Sequence, residues 1–252
     1  MSKRLRLPSP PVVLRRVHTK KLYVGRIELD QAGSRHARDV LRLVSGTEVE
    51  VFDDAGDVAR GVIAELEPVV VVQVDAIDAV GDANVIDITV AAAVPKGDRA
   101  DWMVEKLSEL GVSRFIPLAT ARSVVLPEGK NKRQRWARIA TESAKQSRRR
   151  GVMRIEELTK LADAMTQAAG GRAVVLSTDS NAKPVLDALA GPPDRVILFI
   201  GPEGGWTDDE LRLFEQHDVT PVKLTDTVLR VETAALVAAS AIAVSSNRKY
   251  QI

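Results

Sequence analysis

The sequence predicts an α/β protein in which a small, mainly β N-terminal domain precedes a larger domain built on a largely parallel sheet. Three observations predict it. From Lys21 to Ile77 short runs alternate apolar and polar residues between turn residues, the period of half-buried strands. From Val85 onward apolar runs of six to ten residues alternate with amphipathic helical stretches. Strands that alternate with helices pair in parallel, with both faces covered. Between the two regions, Gly81-Asp82-Ala83-Asn84 has the composition of a linker.

The elements follow in order. Residues 1–19 combine prolines with basic residues and predict a mobile basic tail. The β domain is expected over 20–80. It contains TEVEVFD (47–53), the turn DDAGD (53–57), VARGVIAEL after it, and the apolar run VVVVQV (69–74). One short helix fits SRHARDVLRL (34–43), with Ser34 as its candidate cap. Together these describe a small β-barrel-like domain. The second domain is expected over 84–252. Its strands are 85–94, 114–119, 172–178, 195–201 and 219–225. Its helices are 100–110, stopped by Gly111 as a left-handed cap, a basic helix over 133–147, and segments near 184–190, 208–216 and 232–247.

Composition removes several function classes. The chain has no cysteine, which excludes disulfides, thiolate metal sites and cysteine nucleophiles. Its three histidines, His18, His36 and His217, are too scattered for a zinc helix motif, so no metal is expected. The longest candidate for a membrane span, Ala234 to Val244, is shorter than the roughly 20 apolar residues required and is broken by Ser240. The N-terminus interleaves prolines and arginines rather than forming a secretory signal, and a cytoplasmic protein is expected. The sequence lacks GxGxxG opening a helix, GxxxxGK[ST] and GxSxG, which argues against Rossmann dinucleotide enzymes, P-loop NTPases and α/β-hydrolases.

A net charge of +2 conceals an asymmetry. Residues 1–26 carry eight Lys/Arg and no acid, and residues 130–150 carry nine against the single Glu142. One such run is as compatible with a solvated helix face as with a ligand. Two runs on an otherwise acidic chain point to a polyanion, since neutralising phosphates releases counterions.

Two segments carry the chemistry. In VILFIGPEGGWTDDEL (196–211) a buried strand runs into Gly201, Pro202, Glu203, Gly204 and Gly205, and a helix opens at Thr207 with Asp208, Asp209 and Glu210 in its first turn. This is either a plain glycine turn or a place where backbone approaches a ligand at the carboxyl edge of a sheet. The acidic first turn disfavours phosphate there and suits a neutral or cationic ligand. In LTDTVLRVETAALVAAS (224–240), Arg230 and Glu232 stand where a polar loop enters an uncharged helix. They either pair with each other and cap that helix or serve a site.

GPEGGW followed about 20 residues later by LRVETAAL resembles the RsmE family, SPOUT-superfamily methyltransferases that act on N3 of a uridine in 16S ribosomal RNA. KGDRADWMVEKLSELGV (96–112), RSVV (122–125) and RWARIATESAKQSRR (135–149) extend the resemblance, and RHARDVLRLVSGTEVEVFDDAG (35–56) is similar to that family's PUA-like barrel. The chain departs at Thr225 and Thr227, where the family has a glycine and an arginine, and at Met153, where a proline is common.

The resemblance implies a C-terminal SPOUT domain with a deep trefoil knot, a PUA-like β-barrel that binds RNA, and a homodimer. It implies S-adenosyl-L-methionine as cofactor, held by Leu176, Thr178, Ile200, Gly201, Pro202, Gly204, Gly205, Leu224, Thr225, Val228, Leu229, Arg230, Thr233 and Ala234. The implied partner is 16S ribosomal RNA within the small subunit, with Arg35, Arg122, Arg133, Arg135, Arg138, Lys145, Gln146 and Arg149 as its expected contacts. Arg230 is the expected stabiliser of charge on the uracil and Glu232 the expected proton acceptor, with Glu203 second.

Overall fold

The computed structural model describes residues 14–78, 86–127, 129–168, 170–191 and 194–247. The chain divides into two compact units, residues 1–79 and 80–252. The linker expected at 81–84 lies outside the described residues, as do residues 1–13 of the expected tail. No helix among the described residues is long and apolar enough to cross a membrane.

The first unit contains β1 (Arg15–His18), β2 (Gly25–Glu28), α1 (Gln31–Arg35), a π-helical turn His36–Val40, β3 (Glu48–Phe52), β4 (Val58–Glu65) and β5 (Val71–Val74). They form one sheet in the order β1-β3-β4-β5-β2, with β1 parallel to β3 and the other pairs antiparallel. Alternation places Val49, Val51, Ile63, Val72 and Val74 on its buried side. Asp53 closes the 53–57 turn, its Oδ1 accepting from the backbone N–H of Ala55, Gly56 and Asp57.

Two expectations fail here. The tail read over 1–19 loses Arg15–His18 to β1. Arg16 is buried, pairs with Glu50 at 2.7 Å and lies 3.9 Å over the Phe52 ring. Its charge disguises a strand residue in the sequence. The helix near 34–43 begins earlier, because Asp30 is the cap, accepting from Gly33 N–H at 2.7 Å. Ser34 is buried instead, donating to the Leu29 carbonyl and accepting from Val70 N–H.

The second unit runs β6 (Asp87–Ala93), α2 (Asp98–Glu109), β7 (Arg114–Ala119), α3 (Lys130–Ser147), β8 (Arg154–Ile155), β9 (Thr159–Lys160), α4 (Leu161–Thr166), β10 (Arg172–Leu176), β11 (Lys183–Pro184), α5 (Val185–Ala188), β12 (Arg195–Ile200), α6 (Asp208–Gln216), β13 (Thr220–Lys223) and α7 (Val231–Asn247). The strands join one parallel sheet, β11-β13-β10-β12-β6-β7-β8, with β9 also against β7. Both faces are covered. One core gathers Val90, Leu198 and Phe115 with Met103, Trp136, Ala235 and Ile242 of the helices, and the other sets Ile116, Ile197 and Phe199 against Leu161, Met165 and Phe214. Met153 is buried in the first. Gly111, at φ +86, ends α2 as its position suggests. The two-residue strands β8, β9 and β11 and the short α4 are too brief to show a period in sequence.

This topology positions the site. β13, β10 and β12 are adjacent and parallel, so the segments after Leu176, Ile200 and Lys223 all leave the same carboxyl edge of the sheet.

Candidate active site

Three loops leave that edge from adjacent strands, 177–182, 201–207 and 224–230. Beneath them Ile200 and Ala234 are buried, and Leu176, Leu224 and Leu229 pack against the same core, making an apolar floor. Above it Thr178, Thr225, Val228, Arg230 and Thr233 are exposed, Val228 to 82%. The edge thus brings together the residues expected to hold the cofactor.

The 201–207 loop is shaped by glycines. A Cβ on Gly201 would meet the Trp206 indole at 2.9 Å, so only glycine lets that ring lie over the strand end. Gly205 has φ +71, a left-handed conformation, and its N–H bonds Pro202 O at 2.8 Å. Trp206 stacks edge-on against Phe214, and Phe214 against Phe199, tying the loop to α6 and β12. Thr207 and Glu210 form a reciprocal capping box on α6. Glu203 is exposed on this loop.

In the 224–230 loop Thr225 Oγ1 donates to Thr227 O at 2.8 Å, and Lys223 pairs with Asp226 at 3.0 Å. Thr225 is not among the residues with positive φ, so a β-branched side chain is accommodated without backbone strain. The carbonyl of Arg230 accepts from Ala234 N–H at 2.8 Å, opening α7. Its guanidinium is exposed and faces no acid among the described residues.

Glu232 lies in the first turn of α7 and is buried. It does not pair with Arg230. Its Oε1 accepts from Arg99 Nη1 at 3.2 Å, while Oε2 is buried with no hydrogen-bond partner among the described residues. Sequence reasoning missed Arg99, which stands 133 residues away at the start of α2. The available signal was weak: an arginine in the first turn of a helix that follows a sheet strand, against the helix dipole.

The expected RNA residues scatter. α3 packs on α2 through Trp136, Ala140, Ser143 and Ala144. Asp101 of α2 accepts from the Trp136 indole at 2.8 Å and pairs with Lys132 at 3.3 Å and Arg135 at 2.6 Å. Burial alone would raise the Asp101 pKa, but the Trp136, Lys132 and Arg135 donors together outweigh it and hold the carboxyl below its ordinary 3.8. Arg133 pairs with Glu157, and Lys145 with Glu142 at 2.7 Å. Arg138 and Gln146 are exposed on α3, and Arg35 is exposed in the first unit. Arg149 turns inward, donating to Ser108 O at 2.9 Å and Val112 O at 2.7 Å at the end of α2. Burial lowers its pKa to about 10. Arg122 likewise faces backbone, with Nη1 on Gly204 O at 2.6 Å.

Residues 82–243 match the model of a family described as an RNA methyltransferase domain. The chain is also 31% identical over 228 residues to the ribosomal RNA small subunit methyltransferase E of Synechocystis, covering 88% of this chain and 74% of that protein. The chain belongs to the RsmE family of RNA methyltransferases. The protein of the same name from Bacillus subtilis is 34% identical over 168 residues, covering 62% of this chain and 65% of that one. A solved methyltransferase from Legionella pneumophila, in complex with S-adenosylmethionine, superposes with a TM-score of 0.80 at 28% identity, over 93% of this chain and 98% of that one. The ribosomal RNA small subunit methyltransferase E of Neisseria gonorrhoeae, bound to S-adenosyl methionine, gives 0.81 at 25% identity, over 92% and 98%.

Proposed function

We propose that this protein transfers a methyl group from S-adenosyl-L-methionine to N3 of a uridine in 16S ribosomal RNA of the small subunit. The observation that carries the reading is the carboxyl edge of the sheet, where three loops from adjacent parallel strands surround an apolar floor beside a buried carboxylate with one unpartnered oxygen. Two of its relatives are named ribosomal RNA small subunit methyltransferase E, and two solved structures similar to it hold the cofactor.

The edge fits this cofactor. The acidic first turn of α6 repels phosphate but suits a sulfonium cation. Leu176, Leu224 and Leu229 offer apolar contact. When bound, S-adenosylmethionine supplies an electrophilic methyl group. The protein's own residues must then orient the uridine and remove its N3 proton, because neutral N3–H is a poor nucleophile. Arg230, which faces no acid among the described residues, stabilises charge that develops on a uracil carbonyl oxygen. Glu232 accepts the proton at Oε2, while Arg99 holds Oε1. A buried carboxylate oxygen left without a donor costs about 1–3 kcal/mol or more, a cost that an N–H from the substrate would relieve.

The exposed Arg35, Arg138 and Gln146 hold the RNA backbone, with the first unit acting as a PUA-like barrel. The C-terminal unit is knotted. In support, β13 and β6 are separated by β10 and β12, yet α7, which begins only seven residues beyond β13, packs on β6 and β12. The exposed side of α7, with Thr233, Val237 and Val244, suits a second copy of the chain. The setting is the cytoplasm, on the small subunit.

The test uses small subunits from cells that lack this gene, incubated with the protein and methyl-labelled cofactor, followed by mass spectrometry of nucleosides. Labelled 3-methyluridine supports the reading. Label on another nucleoside, or none, contradicts it.

A further inference from the structure

The segment after β7 reaches across the end of β6, which lies between β7 and β12, to the loop that follows β12. Arg122 makes the reach. Its Nη1 donates to Gly204 O at 2.6 Å and to Trp206 O at 3.3 Å. Its aliphatic stem lies against Gly204, where a Cβ would come within 3.3 Å of Arg122 Cδ. The adjacent Ala121 N–H donates to Glu210 Oε1 at 2.8 Å, and the other oxygen of Glu210 accepts from the Thr207 N–H. The 201–207 loop is therefore held from outside by segment 120–123 and from within by Trp206 packed over Gly201.

A loop with three glycines has much backbone freedom to lose when a ligand orders it. Contacts that order it beforehand remove that cost from binding. We infer that Arg122 is a positioning residue that sets the shape of the 201–207 loop for its ligand, and that its main role is not to contact RNA phosphate. The inference rests on reading that loop as part of the cofactor site.

The experiment titrates S-adenosylmethionine by calorimetry into wild-type protein, Arg122→Ala and Arg122→Lys, and measures RNA affinity against salt for all three. Arg122→Ala is expected to weaken cofactor binding by about tenfold, a modest loss because the side chain is exposed. Arg122→Lys should recover part of it, since an ammonium can keep one of the two carbonyl bonds. It also serves if the alanine variant does not fold. The salt dependence of RNA binding should stay unchanged. Unaltered cofactor affinity, even with a lower Tm, would overturn the inference, as would a salt slope reduced by about one unit, the mark of a lost phosphate contact. Flat titrations for all three proteins would instead remove the cofactor reading itself, and the inference with it.

Discussion

Among the described residues, at the carboxyl edge of the sheet Arg230 faces no acid and Glu232 keeps a buried oxygen without a donor, whereas on α3 the cations Lys132, Arg133, Arg135 and Lys145 each face a carboxylate. Both regions are rich in charge, but these four cations of α3 are satisfied within the chain, whereas Arg230 and the Glu232 oxygen are open among the described residues. A charged group whose partners are already supplied is worth little to a ligand, while an open one in a poorly hydrated place is worth much. The nine basic residues between 130 and 150 therefore overstate the positive charge that RNA can use. Arg149 illustrates it, since its guanidinium caps the end of α2.

This contrast sets the order of expected effects. Arg230→Ala should lower the rate of methyl transfer by about 10²–10³-fold, the range for one donor aimed at developing charge. Cofactor affinity should change far less, and losing both equally would mean that Arg230 belongs to the cofactor contacts alone. Arg138→Ala should weaken RNA binding only several-fold, with the salt slope falling by about 0.7–0.9. An equal change from Arg133→Ala would show that its pairing with Glu157 opens when RNA arrives. The smallest effect on activity belongs to Asp101→Asn, which should destabilise the α2–α3 contact by about 1–2 kcal/mol while leaving transfer near wild type. Because the folded pKa of Asp101 lies below 3.8, the carboxylate's contribution is complete above that pH and is lost as pH falls through the folded value. Thermal melts of the two proteins should accordingly differ at neutral pH and converge in strong acid.

Much of the second unit is legible in the sequence, because long apolar runs such as VILFI and VIDITVAAAV can only be buried strands, and Thr207 with Glu210 spells a capping box three residues apart. The glycines of GPEGG signal close approach, though only the structure identifies the Trp206 ring as what Gly201 admits. The misses share a cause. Arg99 with Glu232, Arg122 with Gly204 and Arg16 with Glu50 are pairings across 133, 82 and 34 positions, and no local period reports them. In each, an arginine that reads as surface charge has its guanidinium on a protein group.

The central claim is that the sheet edge holds cofactor with its floor and loops while Arg230 and Glu232 serve the RNA. The direct test takes the Arg230→Ala/Glu232→Gln double variant and measures, in one preparation, its affinity for S-adenosylmethionine and its single-turnover methyl transfer to small-subunit RNA. The account predicts cofactor affinity within about threefold of wild type and transfer reduced by at least about 10³-fold. Transfer that survives, or cofactor affinity that collapses in step with it, would contradict the account.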